Sequence, residues 1–306
     1  MKSTNRWIIT RREFLKSSIA AGFSAAVLGK YSHPAFSETG MRFGIVTDVH
    51  YAEADPQFNR YFRESLEKLI ECVELMNEQK VEFLIELGDF KDQNTPPVEE
   101  KTISYLQSVE RTFQNFNGPT YHVLGNHDVD SISKEQFFKN VTNTGIPAQS
   151  TYYSFDHKGI HFIVLDAEFL ADGTPFDRGN FQWNDTYVSE AELEWLRKDL
   201  ADTKLPSIVF SHQQLGGLGM TDIQNAEEVR KILQESGKVL ATFDGHNHNG
   251  GHNIIEGIHH YTLKAVVDGS GSDNSSYAIV EILPDKNIIV TGYRKAVSQD
   301  FSKAKV

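Results

Sequence analysis

Five short polar motifs contain the side chains of this sequence that are best suited to bind metal ions. They are Asp48-Val49-His50, Gly88-Asp89, Gly125-Asn126-His127-Asp128, Ser211-His212 and Gly245-His246-Asn247-His248. Each motif follows an apolar run that is typical of a β-strand. Because an α/β sheet places its ligand groups at the carboxyl ends of its strands, the order of the motifs predicts a single site assembled from distant parts of the chain.

The residue types in these motifs indicate which ions the site would hold. Carboxylates and imidazoles bind Mn, Fe, Zn or Co, whereas an all-oxygen site would favour Mg or Ca. Asp48 and His50 are two positions apart, a spacing that puts both side chains on one face of a strand. The candidates are too many for one tetrahedral ion and suit two ions that share a bridging carboxylate, as in enzymes that displace groups at phosphorus. They are Asp48, His50, Asp89, Asn126, His212, His246 and His248.

Each motif has a plainer interpretation when it is taken alone. An Asp-x-His triplet or a Gly-Asp pair is common where a strand turns into a loop, and His127 could be a structural histidine. Gly-Asn-His-Asp and Gly-His-Asn-His are much rarer combinations. The glycines before Asp89, Asn126 and His246 favour tight turns in which the backbone approaches a ligand closely. The predicted metal site therefore rests on the ordered set of motifs rather than on any one of them.

In this order the motifs resemble those of the calcineurin-like metallophosphoesterases, whose pattern is Asp-x-His, Gly-Asp, Gly-Asn-His-Asp/Glu, a single His and then Gly-His-x-His. The resemblance covers roughly Met41 to Lys295. Within that superfamily the chain looks most similar to the manganese-dependent ADP-ribose/CDP-alcohol diphosphatases, chiefly in Phe43–Asp48, Trp183-Asn184 and Ser189–Leu196. Those diphosphatases tend to carry Gln at the position of His50, so here the chain follows the wider superfamily.

The resemblance implies a centre with two divalent transition metal ions, of which manganese is favoured over Fe, Zn or Co. In this arrangement the first ion is bound by Asp48, His50 and His248, and the second ion is bound by Asn126, His212 and His246. Asp89 bridges the two ions. A hydroxide between the ions would be the nucleophile, because bound metals lower the pKa of water towards neutrality. His127 would face the leaving-group oxygen as an acid or hydrogen-bond donor, and Asp128 would orient its imidazole.

The resemblance also implies the fold, an α/β four-layer α/β/β/α sandwich of two mixed sheets flanked by helices. The apolar spacing agrees, because a core-facing helical stripe is predicted from Phe62, Leu66, Leu69, Ile70, Val73 and Met76. Further helices are predicted over Glu99–Phe116, from Ser189 with a capping box to Glu192, and over Asn225–Gln234. Strands are predicted from Asn253 onward, and without an internal repeat we expect one domain over residues 38–306.

The segment from Glu168 to Val188 is long, polar and rich in aromatic residues. Loops of this length in compact domains are often functional, and rings there could stack on a nucleobase. Trp183 and Tyr187 are the predicted substrate contacts, and Tyr51, next to His50, is a further candidate. The alternative is a surface loop whose aromatic residues pack only against each other.

The amino terminus has the pattern of a twin-arginine export signal. Arg11 and Arg12 precede an apolar stretch of small residues from Ile19 to Leu28, which is too short to cross a membrane. Ala35-Phe36-Ser37 fits a cleavage site, and an uncleaved anchor is the alternative. Residues 1–37 are therefore predicted to engage the twin-arginine export machinery of a bacterium. The mature protein is predicted to be periplasmic or secreted, without stable membrane insertion.

The charge balance disfavours one broad class of partner. The formal net charge is −12, and the first 37 residues hold six of the 30 Lys and Arg residues but only one of the 42 Asp and Glu residues. The remainder is therefore strongly acidic, which opposes binding to nucleic acid. A small phosphorylated substrate is still compatible, because metal ions dominate the local field. Cys72 is the single cysteine, so no intrachain disulfide can form.

Absent motifs narrow the reaction class. The chain has no Gly-x-x-x-x-Gly-Lys-Ser/Thr loop and no Gly-x-Ser-x-Gly elbow. Phe90-Lys91-Asp92 lacks the tyrosine that purple acid phosphatases place after Gly-Asp. We therefore expect an exported, metal-dependent hydrolase that cleaves phosphodiester or diphosphate bonds. A broad-specificity phosphomonoesterase is the alternative, and a non-catalytic metal-binding scaffold is a more remote one, because it would lack ligands that this chain has.

Overall fold

The computed structural model describes residues 40–217 and 219–304, which contain most of the predicted domain. The predicted signal peptide, residues 1–37, lies outside the described residues. Within the described part, no helix is both long and apolar enough to cross a membrane. Two six-stranded sheets form the centre of the fold.

The first sheet carries the loops of the first three motifs. Its strands are β1 (Met41–Val46), β2 (Leu84–Glu86), β3 (Thr120–His122), β10 (Ser276–Ile282), β11 (Ile288–Arg294) and β12 (Gln299–Asp300). Their order across the sheet is β12-β11-β10-β1-β2-β3. Since β1, β2 and β3 run parallel while β10 is antiparallel to β1, the carboxyl ends of β1 to β3 meet at one edge.

The second sheet carries the loops of the last two motifs. Its strands are β4 (Tyr153–His157), β5 (Ile160–Val164), β6 (Ser207–Phe210), β7 (Val239–Asp244), β8 (Gly251–Ile255) and β9 (Ile258–Thr262). The order is β4-β5-β6-β7-β9-β8, with β5, β6, β7 and β9 parallel and both edge strands antiparallel to their neighbours. Because β6 and β7 are adjacent, the motifs that follow them begin side by side.

Helices cover the outer face of each sheet. They are α1 (Ser65–Gln79), α2 (Glu99–Phe113), α3 (Lys134–Asn140), α4 (Glu190–Asp202) and α5 (Ala226–Ser236), with 3₁₀ turns at Asn126–Val129, Ser272–Asn274 and Phe301–Ala304. Helices α1 and α2 share a buried apolar cluster with the first sheet, including Leu69, Leu106 and Val46. Helices α4 and α5 share another with the second sheet, including Leu196 and Val209. The predicted four-layer α/β/β/α sandwich is confirmed.

Phe43 of β1 lies at the centre of the core between the two sheets. Its ring is fully buried and stacks on Phe83 with a centroid distance of 4.8 Å. It also makes edge contacts with three rings of the second sheet, at 5.6 Å from Phe162, 5.8 Å from Phe210 and 6.0 Å from Phe243. Burying one such ring contributes about 2–3 kcal/mol, so this aromatic cluster holds together the two sheets that share the site.

Three local features differ from the sequence prediction. Ile70 is 41% exposed, because it lies at the margin of the apolar stripe that α1 turns towards the core. The Glu192 carboxylate does not complete the capping box of α4, because it accepts a hydrogen bond from the Asp166 backbone N–H at 2.9 Å. Helix α3 is absent from the prediction, although its capping box is readable in the sequence as Ser133 and Gln136.

Candidate metal centre

The loops after β1, β2, β3, β6 and β7 meet at an edge shared by the two sheets. Backbone hydrogen bonds join neighbouring loops: the Asp48 N–H donates to Gly88 O at 3.0 Å, and the Gly245 N–H donates to His212 O at 2.9 Å. Another hydrogen bond connects the two sheets, from the His246 N–H to Asp48 Oδ2 at 3.1 Å. Motifs that are far apart in sequence therefore form one site.

Asp48, His50 and His248 form one group of converging metal-binding atoms. His248 Nε2 lies 3.3 Å from Asp48 Oδ1, and His50 Nε2 lies 3.6 Å from the same oxygen. Asp48 Oδ2 is already occupied, because it accepts hydrogen bonds from Thr47 Oγ1 at 2.8 Å and from the His246 N–H at 3.1 Å. Its Oδ1 is therefore the oxygen left for an ion.

Asp89, His212 and His246 form the second group. Asp89 Oδ2 lies 3.2 Å from His212 Nε2, and His246 Nδ1 lies 3.3 Å from the same nitrogen. Asp89 Oδ2 also lies 3.4 Å from His50 Nε2, which belongs to the first group. One carboxylate oxygen thus faces both groups, which is the position required of a bridging ligand.

Three buried atoms show that metal ions fit this site. Asp48 Oδ1, His50 Nε2 and Asn126 Oδ1 have no hydrogen-bond partner. An unsatisfied buried polar atom costs about 1–3 kcal/mol, and three such atoms in one place are suited to surround cations. Oxygen and imidazole donors without a thiolate suit Mn, Fe, Zn or Co. The two groups therefore fit two transition metal ions, and Asn126, whose Oδ1 has no partner, lines the cavity beside them.

Three of the candidate ligand histidines are oriented through the ring nitrogen that faces away from the centre. His50 Nδ1 lies 3.0 Å from Asp92 Oδ2, and His248 Nδ1 lies 2.9 Å from Asp268 Oδ1. The Nδ1–H of His212 donates to a backbone carbonyl oxygen at 2.8 Å. Such partners fix the tautomer and the ring orientation, so that Nε2 is available to bind metal.

Four of the candidate ligands have backbone conformations that L-amino acids rarely adopt. The φ angles are 52° at Asp48, 46° at His50, 57° at Asp89 and 60° at His246. A left-handed residue costs roughly 1–2 kcal/mol, and such strain clusters at functional sites. The loop hydrogen bonds hold these conformations, so the folded backbone presets the positions of the ligands.

The glycines next to the ligands leave room for neighbouring groups. At Gly88, where φ is +99°, an added Cβ would lie 2.4 Å from His212 Nδ1. At Gly125 it would lie 2.3 Å from the Asp89 backbone nitrogen, and at Gly245 the nearest atom would be 2.0 Å away. Gly88 is therefore required both by its backbone angle and by crowding, whereas Gly125 and Gly245 are required by crowding.

His127 lies beside the metal-binding groups and has two acidic neighbours. Its Nδ1 is 3.4 Å from Asp92 Oδ2 and 3.5 Å from Asp130 Oδ2. Burial lowers the pKa of His127, but Asp92 and Asp89 outweigh this effect and raise the pKa well above its ordinary value. Its Nε2 faces the Arg60 guanidinium at 3.5 Å. The Arg60 guanidinium attracts an anion, such as a phosphoryl group, to the space in front of it and His127.

The position of Asp128 differs from its predicted role as the partner of the His127 imidazole. Asp128 Oδ2 accepts hydrogen bonds from the backbone N–H groups of Asp89 at 3.0 Å and Gly125 at 2.9 Å. Its backbone lies in a 3₁₀ turn, which directs the side chain back towards these two loops. Asp128 therefore braces the loops that carry the ligands, and the carboxylate of Asp92 lies beside His127 instead.

A cavity of about 340 Å³ opens beside the two groups, and we call it the metal cavity. Trp183 lines it and is 46% exposed, with its ring centroid 5.7 Å from that of His246. The structure thus brings Trp183 to the site, where an exposed aromatic ring can stack on a planar group. Elsewhere in the same loop, Phe176 stacks on Phe181 at 4.2 Å, so part of the loop packs against itself.

The other two predicted substrate contacts are not among the residues that line the metal cavity. Tyr51 is only 6% exposed, and its hydroxyl donates to Glu53 at 2.7 Å. The Asp92 N–H donates to Tyr51 O at 3.0 Å. The Tyr51 side chain packs into the core of the first sheet. The Tyr187 N–H donates to Phe169 O at 3.0 Å, so Tyr187 ties the two ends of the aromatic loop together.

Comparison with known proteins assigns the family. Residues 41–250 match the profile of the calcineurin-like phosphoesterases. The chain belongs to this family. As a calcineurin-like phosphoesterase it is a hydrolase of phosphate esters, so the predicted enzyme class is confirmed.

Relatives of this phosphoesterase span most of its length. It is 29% identical over 311 residues to the manganese-dependent ADP-ribose/CDP-alcohol diphosphatase of Oryza sativa subsp. japonica, over 87% of this chain and 95% of the relative. It is 24% identical to the protein of the same name from Homo sapiens, over 83% and 90%. The crystal structure of a dimetal phosphatase from Danio rerio superposes with a TM-score of 0.76 at 20% identity, over 86% of this chain and 99% of that one, which agrees with the fold.

Two carboxylates of this phosphoesterase site are absent from the sequence prediction. Asp92 contacts His50, and Asp268 contacts His248. Asp92 follows the candidate ligand Asp89 by three positions, and that short spacing could have identified it. Asp268 is 20 residues from its histidine partner, in a loop whose local sequence carries no comparable signal.

Proposed function

We propose that this phosphoesterase uses two metal ions to hydrolyse a diphosphate or phosphodiester bond in a nucleoside-diphosphate-linked substrate. The observation that carries the proposal is the position of Asp89 Oδ2, 3.4 Å from His50 Nε2 in one ligand group and 3.2 Å from His212 Nε2 in the other. Two ions on either side of one carboxylate suit in-line displacement at phosphorus. Manganese is the proposed ion, supported by the donor types and by the manganese-dependent relatives.

The residues around the centre have distinct tasks in this proposal. When bound, the ions supply Lewis acidity at the phosphoryl group and lower the pKa of the attacking water. Burial raises the pKa of Asp48 and of Asp89, but the neighbouring imidazoles lower both well below their ordinary values, so these carboxylates stay ionised and can hold cations. Asp92 and Asp89 outweigh burial and raise the pKa of His127, which suits this residue to donate a proton to the leaving-group oxygen.

The nucleoside part of the proposal is supported by Trp183. An exposed indole beside the ligand groups can stack on a nucleobase, a contact worth about 1–3 kcal/mol. The relatives are named for ADP-ribose and CDP-alcohols, and both contain a nucleobase. In a nucleoside diphosphate joined to a second alcohol, the diphosphate would bind at the metal centre and the nucleobase would stack on Trp183.

A substrate panel tests this proposal. The mature protein is loaded with Mn, Zn, Fe or Co and assayed with ADP-ribose, a CDP-alcohol, bis-p-nitrophenyl phosphate, cyclic AMP and p-nitrophenyl phosphate. We expect the manganese form to prefer a diphosphate or diester. A strong preference for p-nitrophenyl phosphate would instead support the broad-specificity phosphomonoesterase and overturn the substrate assignment.

Metal content tests the bridging role separately. Asp89→Asn should remove hydrolysis and reduce the bound metal below two ions per chain, because one ligand atom serves both groups. Asp285→Asn changes an exposed aspartate in a turn and is the matched control, with both properties expected at the wild-type level. Full activity and full metal content in Asp89→Asn would show that the ligand assignment is wrong.

We also propose that residues 1–37 direct export through the twin-arginine pathway and are removed at Ala35-Phe36-Ser37. The support is the sequence pattern of Arg11 and Arg12 followed by a short apolar stretch. Replacing both arginines with lysine in a bacterium that has this pathway should keep the protein in the cytoplasm, as measured by immunoblotting of cell fractions. Export of the double variant at the wild-type level would rule out this route.

A further inference from the structure

The metal cavity meets a second cavity at Arg60 and His127. The second cavity has a volume of about 510 Å³ and lies between residues 53–63 and residues 92–95; we call it the side groove. Arg60 and His127 line both cavities, whereas Trp183 lines only the metal cavity. A substrate bound at the metal ions therefore has room on two sides of the reacting phosphorus.

Arg60 is positioned to bind an anion where the two cavities meet. Its side chain is 32% exposed, and its contact with Asp92 Oδ2 is long, at 3.9 Å. Its backbone is fixed by two hydrogen bonds with Gln57, at 3.0 and 3.2 Å. Arg63, the other arginine of the side groove, is already paired with two carboxylates. Because a guanidinium group binds phosphate oxygens in pairs, Arg60 is suited to hold a second phosphoryl group.

The rest of the side groove presents amide and carboxylate groups. Gln93 Oε1 is a buried atom without a hydrogen-bond partner, and Glu53, Gln57 and Asn94 lie in the same lining. Amide and carboxylate oxygens accept hydrogen bonds from hydroxyl groups, whereas acidic side chains repel a further phosphate. This lining therefore fits a neutral polyhydroxylated group, such as a sugar.

We propose that the side groove binds the second alcohol of the substrate, a sugar-like polyol, and that Arg60 holds the phosphoryl group that is not attacked. This inference rests on the proposed function and specifies its substrate class as a nucleoside diphosphate joined to a sugar. With the nucleobase on Trp183, the attacked phosphorus is the one that carries the nucleoside.

The reaction then has a defined orientation. Water forms a new oxygen–phosphorus bond to the nucleoside phosphate and releases a proton to solvent. The bond from that phosphorus to the bridging oxygen of the anhydride breaks, and its electron pair stays on that oxygen. His127 donates a proton to the bridging oxygen, which leaves as part of the sugar phosphate. The products are a nucleoside monophosphate and a sugar phosphate.

Two substitutions in the side groove and one control test the proposal. We expect Arg60→Gln to lower kcat/KM for ADP-ribose, relative to that for bis-p-nitrophenyl phosphate, by roughly 10- to 100-fold, because charge-assisted hydrogen bonds to the second phosphoryl group are lost. Arg197→Gln should leave this ratio within about twofold, because Arg197 is paired with Glu228 at the surface and lines neither cavity. Gln93→Leu should raise KM for ADP-ribose but not for the ethyl ester of ADP, which has no hydroxyl group for the side groove.

Two further readouts do not depend on turnover rates. The affinity for a methylene-bridged ADP-ribose analogue, measured by calorimetry with the manganese protein, should fall in Arg60→Gln and stay unchanged in Arg197→Gln. In water labelled with oxygen-18, the label should appear in AMP, and label in the sugar phosphate would overturn the orientation. An unchanged ratio in Arg60→Gln, with wild-type protein active on ADP-ribose, would overturn this inference alone. Wild-type protein that cleaves no diphosphate would overturn the proposed function and this inference with it.

Discussion

Gly88→Ala tests how the fold positions the second group of ligands. Gly88 has a φ of +99°, and a Cβ there would lie 2.4 Å from His212 Nδ1 and 2.6 Å from His212 Cγ. That imidazole donates to Leu87 O at 2.8 Å through Nδ1 and faces Asp89 Oδ2 at 3.2 Å through Nε2. The added methyl group must therefore displace His212 or shift the backbone that carries Asp89.

We expect this substitution to have two separate effects. The left-handed backbone costs alanine about 1–2 kcal/mol, and losing the hydrogen bond from His212 costs about 1 kcal/mol more. The free energy of unfolding, measured by urea titration with a chelator present, should therefore fall by about 2–3 kcal/mol. Displacement of the ligand should also weaken manganese binding by roughly 10- to 100-fold, as measured by competition titration.

Gly145→Ala is the matched control for the backbone effect. Gly145 has a φ of +76°, and a Cβ there would meet no atom within 4 Å. This variant should lose only the backbone contribution of about 1–2 kcal/mol and should bind manganese like the wild type. Equal losses of stability in the two variants, together with wild-type manganese affinity in Gly88→Ala, would refute the steric argument.

Three further predictions concern other parts of the molecule. Buried Lys68 donates to Val266 O at 2.9 Å and to Gly269 O at 2.6 Å. Lys68→Met should therefore lower the free energy of unfolding, measured in urea, by about 2–4 kcal/mol, and an unchanged value would contradict this. Burial lowers the pKa of His260 from 6.5 to about 4. The unfolded chain therefore binds a proton at this residue more readily, so the free energy of unfolding decreases as the pH falls from 6.5 to about 4. Urea titrations across this range should show that His260→Gln removes up to about 3 kcal/mol of acid sensitivity, and an identical pH profile would exclude it. Trp183→Ala should raise KM for ADP-ribose roughly tenfold or more while Trp183→Phe retains most binding, and equal effects in steady-state kinetics would exclude stacking.

Asp48 and His50 converge as the sequence predicts, but for a different structural reason. Their spacing of two suggests one face of a strand, but β1 ends at Val46 and both residues have left-handed backbone angles of 52° and 46°. The side chains converge because hydrogen bonds between loops hold this shape. Residue type and spacing were therefore sufficient to predict side chains that converge at one place, whereas the local conformation depends on the neighbouring loops.

The carboxylates that contact the candidate ligand histidines depend on tertiary structure more than the candidate ligands themselves do. Lys68 of α1 and Lys295 after β11 both donate to backbone oxygens of the loop that contains Asp268, and this places its carboxylate against His248. No periodicity or motif links positions so far apart in the chain. Asp128 shows the same limit at short range, because its side chain follows the 3₁₀ turn rather than the adjacent His127.

Each ligand group draws on both sheets, which affects when the site comes into existence. Asp48 follows a strand of the first sheet and His248 follows a strand of the second, and Asp89 and His212 are divided in the same way. Asp48 and His246, which meet at the centre, are 198 residues apart in the chain. A bound ion is therefore a cross-link that closes a very long loop, with a correspondingly large entropic penalty in an unfolded chain. Both ligand groups are complete only after the two sheets have packed together, so we expect folded chains, and not unfolded ones, to bind the two ions.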